Sequence, residues 1–74
     1  MYNEQDFRKI LALNMKLERV KNNLTQERLA ELAGISPKHI TKIESLGVTP
    51  SSYLLYKIAD VLKVPVDKLL REPD

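Results

Sequence analysis

Residues 24–50, LTQERLAELAGISPKHITKIESLGVTP, carry the clearest structural signal in this chain. Thr25 and Ser36 each precede a short segment of helical periodicity, where a hydroxyl can accept a hydrogen bond from an unpaired backbone N–H and cap a helix. Gly34 stands between the two segments and can adopt the left-handed conformation that ends a helix, so that Ile35 staples the turn onto the core. The stretch therefore predicts two short helices joined by a tight turn.

The apolar positions of both segments recur at helical spacing, which predicts a buried face on each helix. These positions are Leu29, Leu32 and Ala33 in the first segment and Ile40 and Ile43 in the second. On a helical wheel the opposite face of the second segment gathers polar side chains, namely Lys38, Thr41, Lys42 and Ser45. Two such helices form a helix-turn-helix motif, whose second helix can lie in the major groove of DNA.

The rest of the chain predicts three more helices and no strand. In the first of them the apolar positions recur at heptad spacing, at Ile10, Leu13, Leu17, Val20 and Leu24. Two heptads are too few to indicate a coiled coil, so we interpret the row as a stripe that faces the core. We predict an all-α, compact five-helix domain over residues 1–74, with frayed residues at 1–5 and 71–74. The predicted helices are 6–22, 25–33, 36–45, 51–62 and 66–70.

Composition narrows the classes of function. The chain of 74 residues has no cysteine and one histidine, which excludes disulfides and argues against zinc. No nucleophile with a base, metal cluster or glycine-rich phosphate loop is evident, so we expect no enzymatic activity and no cofactor. No apolar stretch has membrane-spanning length and the first residues do not form a signal peptide, so we expect a soluble, cytoplasmic protein. The net charge of +2 suits a nucleic-acid partner without establishing one.

The chain resembles the helix-turn-helix domains of the phage repressor and Cro type from about Leu17 to Leu70. The matching positions are Leu24-Thr25-Gln26, Leu29-Ala30, Gly34-Ile35-Ser36, Ile40, Ile43-Glu44, Pro50-Ser51, Lys57-Ile58-Ala59 and Val64 to Leu70. Spacing and residue type agree over five helical segments, which makes the resemblance more specific than a lone Thr-Gln pair. It implies a transcription regulator that reads double-stranded DNA with the helix 36–45.

The resemblance also assigns roles to individual residues. It implies base contacts for three residues on the polar face of the second motif helix, namely Lys38, Thr41 and Lys42. On an isolated helix the same residues would be interpreted as a solvated face. The resemblance implies a phosphate contact for Gln26, and an ion pair between Arg19 and Glu44 that pins the second motif helix to the first helix of the domain. Further phosphate candidates are Ser36, His39, Ser45, Ser51 and Tyr53. An ordinary exposed histidine is the alternative for His39, and a contact with a second subunit or partial packing on the monomer is the alternative for Tyr53.

Two positions depart from the family pattern. Pro37 stands where the family often has a polar base reader, and proline has no donor for a hydrogen bond to a base. Leu46 stands where the family usually has glycine, with Gly47 one residue later, so we predict that the helix ends one residue later. The basic residues that usually follow this glycine in the family are missing, so we predict that this loop binds the DNA backbone more weakly.

A single short recognition helix reads only a few base pairs, so we expect a homodimer on an inverted repeat. Candidates for the dimer interface are Val48, Tyr56, Val66 and Leu70, and burial in the monomer core is the alternative for the last two. We interpret the protein as a sequence-specific regulator, and more narrowly as a repressor; a restriction-modification controller would be one subtype. The alternatives are an antitoxin or accessory subunit that binds protein, and the DNA-binding part of a longer regulator. No site for a small-molecule effector is evident.

Overall fold

The computed structural model describes residues 3–73. Within that range the chain forms helices and no strand, which confirms the all-α prediction. The helices are α1 (Glu4–Lys21), α2 (Gln26–Ala33), α3 (Pro37–Glu44), α4 (Ser52–Leu62) and α5 (Val66–Leu70). Helices α2, α3 and α4 each begin one residue later than predicted, because the hydroxyl residues at their starts are caps that precede the helix. Helix α5 has the predicted bounds. Residues 1, 2 and 74, predicted to be frayed, lie outside the described residues.

Helix α1 begins two residues earlier than the sequence predicts. The Asn3 side chain accepts a hydrogen bond from the Asp6 backbone N–H at 2.8 Å, which caps a helix that starts at Glu4. The predicted fraying of residues 1–5 therefore does not extend to Glu4 and Gln5. Two carboxylates in the first turn, Glu4 and Asp6, also suit the positive end of the helix dipole.

The hydrophobic core collects side chains from all five helices. The fully buried large side chains are Leu11, Met15, Leu29, Ile40, Ile43, Ile58, Leu62 and Leu69. Each such side chain contributes on the order of 1.5–3 kcal/mol when it leaves water. Ile40 and Ile43 are in this set, as the wheel predicts, so the core fixes which face of α3 remains in solvent.

The predicted core stripe is wrong at its three central residues, although Leu24 at its end packs partly against the core. Leu13, Leu17 and Val20 are exposed, and α1 instead buries the neighbouring row that contains Leu11 and Met15. The buried row also contains the polar residues Asn14 and Glu18. In the sequence it is therefore less apolar than the row that is exposed. Leu32 of α2, predicted to be buried with Leu29 and Ala33, is likewise exposed.

Asn14 is buried because its amide has two partners at the far end of the fold. Its Nδ2 donates to the carbonyl oxygens of Leu69 at 3.0 Å and Arg71 at 2.7 Å. Carbonyls at the end of a helix lack intrahelical partners, so this side chain satisfies the end of α5. Arg71, which the sequence predicts to be frayed, is held by this contact.

Helix α3 ends at Glu44 with Ser45 as its cap, so the prediction of a later end is wrong. Leu46 itself adopts the left-handed conformation, with φ 68°, although glycine follows it. A Cβ on Gly47 would lie 3.2 Å from the Lys42 carbonyl oxygen, so the glycine serves close packing instead of a left-handed turn. The turn therefore keeps the family's position and accepts the steric cost of leucine there, about 1–2 kcal/mol.

No helix within residues 3–73 is both long and apolar enough to cross a membrane.

Candidate nucleic-acid interface

The turn between α2 and α3 has the geometry that the sequence predicts. Thr25 Oγ1 accepts from the Arg28 N–H at 3.0 Å and caps α2. Gly34 is left-handed with φ 72°, and the Ile35 N–H donates back to the Ala30 carbonyl at 2.9 Å. Ile35 then packs against the core. These contacts fix the angle at which α3 leaves α2.

Helix α3 presents a continuous polar face to solvent. Lys38, Thr41 and Lys42 are exposed, while Ile40 and Ile43 hold the opposite face in the core. The structure thus brings the three candidate base readers together on one surface. We call this surface, Lys38 with Thr41 and Lys42, the reading face.

Arg19 and Glu44 form a two-pronged ion pair between α1 and the end of α3. Arg19 Nε lies 2.9 Å from Glu44 Oε2, and Nη2 lies 3.2 Å from Oε1. The third nitrogen, Nη1, donates to the Leu24 carbonyl at 2.8 Å. The side chains are only 12% and 5% exposed, so water competes little for either charge. Breaking a buried pair of this kind leaves one charge unpaired and costs about 3–5 kcal/mol.

Gln26 joins this ion pair to the reading face, a link that sequence reasoning missed. Its Nε2 donates to Glu44 Oε1 at 3.1 Å, and its Oε1 accepts from the Thr41 hydroxyl at 3.0 Å. A carboxylate can only accept, so Glu44 fixes which end of the amide points toward Thr41. The second N–H of Nε2 remains available for a phosphate oxygen. The sequence signal for Gln26 was its place at the start of α2, which says nothing about these partners.

The Thr41 hydroxyl donates within the protein. Its oxygen lies 3.0 Å from Gln26 Oε1 and 3.1 Å from the Pro37 carbonyl, and both of these can only accept. A hydroxyl has one proton, so Thr41 is left with acceptor lone pairs and its methyl group. It can therefore accept from a base amino group or contact a thymine methyl, and it cannot easily donate to a base.

Two of the phosphate candidates are helix caps. Ser36 Oγ accepts from the His39 N–H, and Ser51 Oγ accepts from the Leu54 N–H, each at 3.2 Å. In both cases the hydroxyl proton is not used by the cap and can be donated to an anion. Unpaired N–H groups and the helix dipole favour an anion at the same place.

The other phosphate candidates are more scattered. Ser45 is exposed, and its hydroxyl donates to the Lys42 carbonyl at 3.2 Å. His39 is half-buried. Tyr53 is exposed on α4, where Lys57 Nζ lies 5.4 Å from the centre of its ring.

The surface beside α3 is an open groove of about 240 Å³, lined by Ser36, Lys38, His39, Lys42 and Val48. It brings two candidate base readers and two phosphate candidates together with Val48, a residue predicted for the dimer interface. Val48, Val66 and Leu70 all pack partly against the core. Tyr56 is the exposed member of the predicted dimer set.

The loop after α3 is tied to the start of α1. Arg8 Nε donates to Thr49 Oγ1 at 2.8 Å, and the Thr49 hydroxyl donates to Glu4 Oε2 at 2.7 Å. The Thr49 hydrogen bond, together with the nearby Arg8 guanidinium, holds the pKa of the Glu4 carboxyl below its ordinary value. Arg8 also reaches the Leu46 carbonyl at 3.4 Å, so the loop that follows α3 is held at both Leu46 and Thr49.

Comparison with known proteins agrees with this geometry. A family described as helix-turn-helix matches residues 15–69. The chain belongs to this family. The predicted resemblance to repressor and Cro-type domains is confirmed, as is the prediction of a DNA-binding transcription regulator at the level of the family.

Individual relatives extend the similarity over most of the chain. It is 39% identical over 67 residues to control protein C.SmaI of Serratia marcescens, covering 88% of this chain and 77% of that protein. It is 34% identical over 70 residues to a hypothetical transcription factor of Neisseria meningitidis, covering 95% of this chain and 66% of the relative. The crystal structure of the Neisseria factor NHTF superimposes with a TM-score of 0.90 at 33% identity, covering 99% of this chain and 84% of that one.

A further structure shows the same fold at lower identity. The restriction-modification controller protein C.AhdI of Aeromonas hydrophila superimposes with a TM-score of 0.85 at 20% identity. The match covers 92% of this chain and 99% of that one, so the five-helix arrangement is common to both.

Proposed function

We propose that this protein is a cytoplasmic, sequence-specific transcription regulator without enzymatic activity, and that it represses by binding an inverted repeat as a homodimer. The observation that carries the proposal is the reading face. It combines two exposed lysines with a threonine on a helix whose other side is buried in the core. The relatives named as a control protein and a transcription factor support the same class of function, and a restriction-modification controller is one subtype of it.

The reading face suits base edges in the major groove. Lys38 and Lys42 can donate to guanine O6 and N7, whereas Thr41 is restricted to accepting from an amino group or contacting a thymine methyl. Pro37 at the first position of α3 adds no donor. This division of roles makes the lysines the main source of hydrogen-bonded base recognition.

The starts of α2, α3 and α4 suit the DNA backbone. Gln26 offers its second amide N–H, and Ser36 and Ser51 offer hydroxyl protons beside helix N-termini. Ser45, His39 and Tyr53 lie nearer the edges of α3 and α4 and would add weaker phosphate contacts. Such contacts position the protein on the duplex, and the reading face supplies the sequence preference.

A homodimer would double the sequence that is read. Recognition helices related by a two-fold axis require half-sites about 10–10.5 bp apart, so that both enter the same face of the duplex. Tyr56 is the best-placed interface residue of the predicted set, because it is exposed on α4. Val48, Val66 and Leu70 would contribute only the parts of their side chains that the core leaves open.

Selection of bound sequences from random duplex DNA tests this function. We expect enrichment of an inverted repeat, and loss of binding when five base pairs are inserted between the half-sites. A matched pair of variants assigns the binding surface: Lys38→Ala with Lys42→Ala should abolish enrichment, whereas Lys9→Ala with Lys16→Ala, which removes the same charge from α1, should not. Absence of any enriched sequence would favour a protein-binding role, such as that of an antitoxin or accessory subunit. Affinity that survives the half-turn insertion would contradict the dimer.

A further inference from the structure

Helix α1 presents an apolar row to solvent. Leu13, Leu17 and Val20 are 46%, 43% and 60% exposed, and Ile10 continues the row as a half-buried residue. Residues at this spacing lie on one face of a helix. We call this surface, Ile10 with Leu13, Leu17 and Val20, the outer face of α1. Single exposed leucines are common on proteins, but a row of large apolar side chains indicates a contact surface.

The charges that border the outer face are mostly positive. Lys9 and Lys16 are exposed on one side of the row, and neither forms a salt bridge with another residue of the range 3–73. Lys21 lies on the other side, where its Nζ is 3.4 Å from Glu18. The acidic exceptions are Asp6, at the beginning of the row, and Glu72, which lines grooves beside Ile10 and Leu17. A partner that covers the row would bring its own flanking charges next to these lysines.

A groove beside Leu17 also has positively charged lining residues. It has a volume of about 210 Å³ and lies between α1 and the segment after α5. Its charged lining residues are the cations Lys21, Lys68 and Arg71 and the carboxylates Glu18 and Glu72. Glu18 is buried and Glu72 is exposed, so the accessible side of the groove has three cations and one carboxylate and favours an acidic side chain.

This charge pattern argues against a second copy of the chain as the occupant. The row has heptad spacing, and in paired helices the residues that flank such a row set the choice of partner. Pairing two α1 helices in parallel places Lys16 opposite Lys21, and pairing them antiparallel places Lys9 opposite Lys16. Like charges that face each other oppose association, whereas carboxylates on a different helix would meet the lysines favourably.

The outer face is also separate from the reading face. Arg19, which holds α1 to α3, follows Leu17 by two residues and therefore lies about 160° around the helix from it. A partner on the outer face would be on the far side of α1 from α3. DNA and such a partner could therefore bind at the same time.

We propose that the outer face of α1 docks an acidic amphipathic helix of a partner protein. The apolar side of that helix would cover Leu13, Leu17 and Val20, and its carboxylates would meet Lys9, Lys16 and Lys21. This is the helix-in-groove mode of recognition, in which apolar residues anchor the peptide and flanking charges select it. A regulator with this surface would recruit a second protein to the DNA site that it occupies.

Two synthetic helical peptides test the proposal. Both carry leucines in a heptad row, one with glutamate at every flanking position and the other with lysine there. Titrated against the labelled full chain, the acidic peptide should bind at least about tenfold more tightly than the basic one. Leu17→Gln should weaken the acidic peptide by at least about tenfold, since it places a polar group in the middle of the row. Leu32→Gln is the matched control, because it changes an exposed leucine on another helix and should leave binding unchanged.

Four outcomes would overturn the proposal. Equal binding of the two peptides, or binding of neither, would remove the charge argument. Displacement of the acidic peptide by duplex DNA would place it on the reading face instead. Sedimentation that shows a dimer of the parent protein and a monomer of Leu17→Gln would assign the outer face to a second copy of the chain.

Discussion

Gln26 donates its amide N–H to the Glu44 carboxylate at 3.1 Å, across 18 positions of the sequence. The same carboxylate accepts hydrogen bonds from the Arg19 guanidinium, and the amide oxygen of Gln26 accepts one from the Thr41 hydroxyl. The ion pair that stabilises the fold therefore also orients the side chain at the start of α2. Gln26 is already ordered by these contacts, so the proposed phosphate contact would cost little further side-chain freedom.

Replacement of Gln26 by alanine should weaken binding to all DNA sequences alike, because a phosphate contact carries no sequence information. The affinities for a selected operator and for a scrambled duplex should fall by the same factor. Gln5→Ala, the same change at an exposed position of α1, should have no effect. A larger loss on the operator than on the scrambled duplex would show that Gln26 acts on a base, directly or through Thr41.

Replacement of Lys42 by alanine should instead reduce preference at one base position. A lysine that donates to guanine contributes about 1–3 kcal/mol of discrimination on the cognate site. Binding to operators substituted one base pair at a time identifies that position, since the variant should no longer distinguish bases there. Lys16→Ala controls for the loss of charge. An equal loss on every duplex would place Lys42 among the phosphate contacts.

Removal of Arg19 should destabilise the domain strongly. Arg19→Ala leaves the Glu44 carboxylate buried without its partner and should cost about 3–5 kcal/mol in urea or thermal unfolding. The double change Arg19→Met with Glu44→Leu should recover part of the loss, because it removes both charges. Arg28→Ala breaks only the exposed pair with Glu31 on α2 and should cost less than about 1 kcal/mol. A parent-like melting curve for Arg19→Ala would mean that the pair contributes no more than a surface contact.

Replacement of Lys63 by glycine should stabilise the protein. Lys63 ends α4 in the left-handed conformation with φ 62°, which costs a residue with a Cβ about 1–2 kcal/mol. Glycine removes this strain but has more freedom in the unfolded chain, which offsets about 0.5–1 kcal/mol. We expect a net gain of about 0.5–1 kcal/mol in the free energy of unfolding.

Gly34→Ala is the converse test. A Cβ there would meet only Lys57 Nζ, at 3.7 Å, so any loss of stability comes from φ and not from a clash. Equal melting temperatures for the parent and Lys63→Gly would contradict the strain argument.

Removal of the Thr49 hydroxyl should raise the pKa of Glu4 toward its ordinary value. Thr49 is the main cause of the lowered pKa, with the Arg8 charge second. A carboxyl whose pKa is lower in the folded state stabilises the fold above its unfolded pKa, and this contribution disappears as the pH falls through the folded value. Thr49→Val should therefore show a smaller loss of stability on acidification. The carbon chemical shift of the Glu4 carboxyl, followed against pH, measures the change, and an unaltered pKa would assign the shift to Arg8.

Local sequence signals predicted the motif well. Thr25, Ser36 and Gly34 act within three or four residues of their own position, so their roles can be inferred without knowing the rest of the fold. The two buried isoleucines of α3 followed from periodicity in the same way. Family resemblance supplied the contact between Arg19 and Glu44, which local reasoning could not.

The register of α1 could not be predicted, because two rows of the helix are compatible with burial. The row that is buried contains Asn14 and Glu18. Burial of Asn14 is favourable because its amide bonds two carbonyl oxygens that lie 55 and 57 positions away in the sequence. Gln26 illustrates the same limit, since its orientation depends on a carboxylate in another helix. Leu46 shows that a turn can keep its conformation when the expected glycine is absent.

The Asn14 amide also has a consequence for how the domain unfolds. A helix as short as α5 is not stable alone, so its order depends on Leu69 in the core and on the two carbonyls that Asn14 holds. Release of α5 would expose Leu69 to water and break both hydrogen bonds of the Asn14 amide, so opening of this helix costs more than its short length suggests. Amide hydrogens of α5 should therefore exchange with solvent more slowly in the parent protein than in Asn14→Ala, which lacks both hydrogen bonds. Because Asn14 lies 55 and 57 positions from the residues that it bonds, this side chain couples the opening of α5 to the integrity of α1.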